Sequence, residues 1–148
     1  MNVAVDLTLH ASNYSTNEHC GLHATNRNHL SSYEKGISAE ICAANELVSK
    51  GYEILGKRIK IKYGEIDLLA KRGQDVVAVE VKQRKTLNSS RDCISLKQRK
   101  RIVNAFLSII SDRNELFENY RIDVVCLDSV GRFEHIENAF CIEDFMSA

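Results

Sequence analysis

From about residue 36 onward, hydrophobic and polar residues follow two distinct periods along this chain. Tyr52 to about Lys62 reads as a first strand, in which Ile59 and Ile61 alternate with Lys60 and Lys62, the mark of a half-buried strand. Two further strands are predicted at about Glu65 to Lys71 and Asp75 to Arg84, and turn signals at Tyr63-Gly64 and Arg72-Gly73 join the three into an antiparallel meander. The helical period appears at Ser38 to Lys50, with Ser38 as a cap and Gly51 as a terminator. It returns at Leu96 to Asp112, where Leu96, Ile102, Val103, Phe106, Ile109 and Ile110 form an apolar stripe. A strand at Ile122 to Leu127 and a short apolar run around Ile136 to Ile142 complete the pattern. The order helix, three strands, helix, strand or strands predicts an α/β domain spanning 36–148. Residues 1–35, rich in Asn, Ser, Thr and His, read as a weakly ordered leader with a short Val3, Val5, Leu7, Leu9 alternation.

Strand geometry gives two of these segments a chemical meaning. Val77, Val79 and Val81 should line one side of their strand, and Ala78, Glu80 and Lys82 the other. Glu65 and Asp67 should likewise share a side, opposite Ile66 and Leu68. A connection of about six residues separates the runs, a hairpin length, so Asp67, Glu80 and Lys82 are expected on one polar face. On the first helix, Glu40 falls at helical spacing from Ala44 and Leu47, which makes it either an edge position or a fourth member of that face. Clustered carboxylates repel, and burying them without a counter-charge costs several kcal/mol each, so such a cluster calls for a divalent cation. Oxygen ligands favour Mg²⁺ or Mn²⁺. Such an ion polarises a phosphate and acidifies a bound water, and Lys82 is placed to hold that water or the developing charge. The pattern points to metal-dependent phosphodiester cleavage; the plain alternative is a solvated strand face with cross-strand ion pairs.

Composition narrows the setting. At 148 residues the chain should hold one core. Its five cysteines lack Cys-x-x-Cys spacing and follow no secretory segment, which predicts reduced thiols in a cytoplasm. No apolar run approaches the roughly 20 residues of a membrane helix. His19-Cys20-Gly21-Leu22-His23 imitates metal-ligand spacing, but no second ligand pair follows, and incidental composition is the better reading. The zero net charge conceals a polarised chain: Lys82 to Arg101 holds eight basic residues against the single acid Asp92, whereas Ile102 to Ala148 holds three arginines against nine acids. A basic block next to an acidic strand suits a phosphate backbone, with Arg84, Lys85, Lys97, Arg99, Lys100 and Arg101 as contacts.

The runs Gly64-Glu65-Ile66-Asp67-Leu68-Leu69-Ala70, Val79-Glu80-Val81-Lys82-Gln83-Arg84, Lys97 to Ile102, Arg121-Ile122-Asp123-Val124-Val125 and Ile136-Glu137-Asn138-Ala139-Phe140 together resemble the bacterial YraN family. The resemblance covers roughly Gly36 to Phe140 and implies the PD-(D/E)XK, or restriction-endonuclease-like, superfamily, which includes Holliday junction resolvases. It implies an αβββαβ core with a central mixed sheet flanked by helices, in agreement with the element order read from periodicity. By position it assigns Asp67 and Glu80 as the motif acids, Lys82 as its lysine, Glu40 as the helix acid, and Glu65 as an additional ligand or supporting group. Ile66 stands at the nominal proline position. The expected function is a Mg²⁺ (or Mn²⁺) dependent endonuclease acting on DNA, branched or damaged forms included, with a homodimer suggested by superfamily analogy. The alternative is a non-catalytic nucleic-acid-binding or scaffold protein that keeps the nuclease fold.

Overall fold

The computed structural model describes residues 31–87, 93–113 and 117–146; most of the leader, with its four histidines, the Val3 to Leu9 alternation, and Arg91 and Asp92 lie outside these. The first helix, α1 (Ser32–Ser49), begins six residues earlier than its periodicity indicates, because Ser31 and Glu34 form a reciprocal capping box. Residues 32–35, expected in the leader, therefore belong to a helix. It stops at Gly51, whose φ of 85° is a left-handed turn of the kind that ends helices. Strands β1 (Glu53–Ile61), β2 (Gly64–Arg72) and β3 (Asp75–Gln83) form the expected meander. Then follow α2 (Leu96–Ser111), capped by Ser95 and Gln98, and strand β4 (Asn119–Leu127). The last strand, β5 (Phe133–Ile136), precedes the apolar run from which a final element was expected. Its Phe-Glu-His-Ile sequence is half-buried throughout and carries no alternation to read.

The five strands lie in sequence order, β3 and β4 being parallel and the other neighbours antiparallel. The fold is thus α/β, a mixed open sheet with a helix on each face, consistent with a restriction-endonuclease-like core. Ala39, Ala43, Ala44 and Leu47 of α1 pack on Leu68, Ala70, Val77, Val79 and Val125. On the opposite face Ile102, Val103, Phe106 and Ile109 of α2 pack on Ile66, Leu69, Val76, Ala78, Ile122 and Val124. Two-sided coverage explains why the central strands read as near-continuous apolar runs.

One buried polar network stitches β4 to β5. Asp123, fully buried, accepts hydrogen bonds from Arg121 Nε at 2.8 Å and from the Asn138 backbone N–H at 2.9 Å, and its other oxygen lies 2.8 Å from His135 Nε2. Burial pushes the Asp123 carboxyl up, but these partners outweigh burial and hold it below the ordinary carboxylate range. Arg121 also donates to the Tyr52 hydroxyl and lies 3.5 Å from Asp75. Removing the shared acceptor would leave a half-buried guanidinium without its main partner and His135 without its carboxylate. Asp123→Ala should therefore lower the unfolding free energy in urea by about 3–5 kcal/mol; a loss below about 1 kcal/mol would mean that the network is not buried in solution.

Candidate active site

The sheet opens where the acids lie. The β2–β3 ladder runs from Arg72 opposite Asp75 to Leu68 opposite Val79 and goes no further, while β2 stays paired with β1 down to Gly64. At the fork, Asp67 Oδ2 accepts the Val81 backbone N–H at 2.8 Å, so a side chain replaces a ladder bond. Simple alternation fails at this point. Ile66 packs beneath α2 and Leu68 beneath α1, so the expectation that both stand opposite Glu65 and Asp67 does not hold. The chain turns at Asp67, directly across from Arg58, a residue of β1 with φ of 49°.

Asp67 is the electrostatic hub of the notch. Burial raises its carboxyl to about 6, the charges of Glu80 and Glu65 add to the rise, and the Val81 N–H and Lys82 oppose it. Burial likewise raises Glu40, and the charges of Asp67 and Glu65 add to that against Arg58. Acids from α1, β2 and β3 are thus within electrostatic reach of one another. Two cations divide them. Lys82 Nζ lies 2.6 Å from Glu80 Oε1, and Arg58 bridges Glu40 at 3.7 Å and Glu65 at 3.4 Å. Lys60 approaches the other oxygen of Glu65 at 3.7 Å.

Among the described residues, no three acid, histidine or cysteine side chains are gathered at metal-ligating distance. The donor chemistry nevertheless fits a hard divalent ion. These are carboxylate oxygens, two of them raised by burial and further by neighbouring acids, and their present partners are side-chain cations that an ion could replace. Asp67 and Glu80 are the natural ligands, with Glu40 and Glu65 beside them.

The basic block splits by surroundings. Lys85, Lys97, Lys100 and Arg101 are exposed. Arg84 instead donates to the Cys93 carbonyl at 2.8 Å, and Arg99 donates to the Ile94 carbonyl at 3.0 Å with its guanidinium over the Phe140 ring. Arg101 of α2 lies against the start of β2. Its side chain lies so close over Gly64 that a Cβ there would stand 2.8 Å from Arg101 Cγ. Sequence reasoning missed Arg58, whose Lys-Arg-Ile-Lys context reads as a solvated strand edge.

Comparison with known proteins places the chain. A family model described as "Uncharacterised protein family UPF0102" matches residues 39–127. The chain belongs to this family. Relatives include UPF0102 proteins of Sulfurihydrogenibium sp., 40% identical over 74% of this chain and 96% of the relative, and of Clostridioides difficile, 37% identical over 75% of this chain and 100% of the relative. The UPF0102 match spans α1 to β4 and so contains Glu40, Glu65, Asp67, Glu80 and Lys82. A solved structure, Pyrococcus furiosus SfsA in complex with Ca²⁺, aligns with 70% of this chain and 62% of its own at a TM-score of 0.31 and 14% identity, a likeness too weak to bear on chemistry. No helix among the described residues is long and apolar enough to cross a membrane.

The raised Asp67 carboxyl makes a stability prediction. An acid that titrates near 3.8 when unfolded and near 6 when folded binds its proton more tightly in the fold. Stability should therefore fall as pH rises from about 4 to about 6 and level off above about 7, by on the order of 2–3 kcal/mol. Asp67→Asn keeps an acceptor for Val81 and removes the charge. In chelator, it should unfold at higher urea than wild type at pH 7.5, by about 1–2 kcal/mol, and match wild type near pH 4. A lower midpoint at pH 7.5 would make Asp67 a structural acceptor instead.

Proposed function

We propose that this protein is a metal-dependent endonuclease of the PD-(D/E)XK type that hydrolyses phosphodiester bonds in DNA, branched or damaged forms among its candidate substrates. The observation that carries the reading is Asp67 at the fork of β2 and β3, raised by burial and by Glu80, with Lys82 seated on Glu80. A protein that only gripped phosphates would gain nothing from acids aimed at them.

Asp67 and Glu80 would hold Mg²⁺ or Mn²⁺, with Glu40 and Glu65 completing or orienting its surroundings. The ion would supply charge neutralisation, a polarised phosphate and a more acidic water. Lys82, half-buried and anchored on Glu80, would keep its Nζ donors directed at the attacking water or a phosphate oxygen. Exposed Lys85, Lys97, Lys100 and Arg101 would hold the backbone and give affinity without base selection. Gly64 beneath Arg101 keeps that grip in register with β2.

One observation favours the second reading, a nucleic-acid-binding scaffold that retains the fold. Arg58 and Lys82 already neutralise much of the acid cluster. The experiment that decides is incubation of the full chain with duplex, flap, junction and single-stranded DNA, and RNA, with Mg²⁺ or Mn²⁺. Cleavage should appear with metal, vanish in chelator, and fall by about 10²-fold or more in Asp67→Ala and Lys82→Ala, the scale of one lost catalytic group. Cleavage that persists in both variants removes these residues from the mechanism. Salt-sensitive DNA binding with no cleavage moves the conclusion to the scaffold.

A further inference from the structure

We propose that Arg58 is a built-in counter-ion of this site, a positioning residue that occupies the cation's place on Glu40 and Glu65 and yields it when a divalent ion binds. This rests on the metal-dependent reading above.

The backbone is the first ground. Arg58 lies in the interior of β1, between Lys57 opposite Leu68 and Ile59 opposite Ile66, with φ of 49°. Residues other than glycine seldom adopt this left-handed conformation, least of all within a strand, and those that do concentrate at functional sites. The irregularity falls directly across from Asp67, where β2 itself turns.

The side chain is the second. Its guanidinium joins an acid of α1 to an acid of β2, a span that a planar five-donor fork can make and a point-charge ammonium makes less well. At 3.4 and 3.7 Å both contacts exceed the roughly 2.7–2.9 Å of a tight charge-assisted hydrogen bond. The same guanidinium lies 5.0 Å from the centre of the Tyr33 ring, which is exposed. A displaced arm therefore has an aromatic face to rest on at the rim of the site.

Charge supplies the third. Glu40 and Glu65 are two acids to which Arg58 offers one positive charge and a divalent ion offers two. Exchange is then an electrostatic competition, and deleting Arg58 should strengthen the ion's binding.

The test is calorimetric titration of the full chain with Mn²⁺. Asparagine tolerates the left-handed backbone, so Arg58→Asn should keep the strand while removing the charge; Arg58→Gln serves as a second neutral variant, and melting in chelator checks that each is folded. Either neutral variant should bind Mn²⁺ about tenfold more tightly at low ionic strength, with the gap narrowing in about 0.5 M salt. Arg58→Lys, which keeps the charge, should stay near wild type. Equal or weaker affinity in the folded neutral variants overturns the role of Arg58 alone, provided the wild type binds. Absence of Mn²⁺ binding in every form overturns this inference and the metal-dependent reading together.

Discussion

Mutual repulsion among carboxylates at the fork between β2 and β3 is the constraint on which the rest of this molecule's chemistry depends. Unit charges a few ångströms apart near a protein surface interact by a few kcal/mol, a large part of the roughly 5–15 kcal/mol by which a domain is stable. Glu40, Glu65, Asp67 and Glu80 therefore cannot be brought together without compensation. The fold compensates locally: the Val81 N–H on Asp67, Lys82 on Glu80, and Arg58 across Glu40 and Glu65. The compensation is incomplete, since Asp67 still titrates near 6 and Glu40 is raised as well. Burial is the larger cause of both shifts and repulsion from neighbouring acids the smaller, and a divalent ion would offset both.

The same chain shows what complete compensation looks like. Asp123 is more deeply buried than Asp67, yet it is held below the ordinary range because His135, Arg121 and the Asn138 N–H satisfy both of its oxygens. That acid is committed to joining β5 to the sheet. Asp67 receives one backbone hydrogen bond and faces like charges. Burial alone does not separate a carboxyl held low from one held high. The partners do, and they point in opposite directions at these two aspartates.

Much of the architecture was legible in the sequence because its signals are local. The alternation of Val77, Val79 and Val81 with Ala78, Glu80 and Lys82, the stripe of α2 and the glycine after α1 each follow from the geometry of one element. The start of α1 was misplaced because the capping box of Ser31 and Glu34 lies in a segment whose polar composition reads as leader. Strand β5 was missed because Phe133 to Ile136 owes its place to Asp123 and to pairing with β4, not to a pattern of its own. Alternation placed Glu80 and Lys82 on the side of Ala78, but it misplaced Ile66 relative to Leu68, since a break in a ladder is a tertiary event. Arg58 was illegible for the same reason: nothing in Lys57-Arg58-Ile59 announces a left-handed residue facing acids from two other elements. The basic block was visible as charge, whereas the commitment of Arg84 and Arg99 to backbone carbonyls was not.

The proposed function requires the acids of α1, β2 and β3 to share one divalent cation at the fork. Anomalous scattering from crystals grown with Mn²⁺ measures this directly. A manganese peak bounded by the carboxylates of Asp67 and Glu80, with Glu40 or Glu65 turned toward it, is expected. Manganese bound only elsewhere, or none at all with Lys82 and Arg58 still seated on their acids, would contradict it.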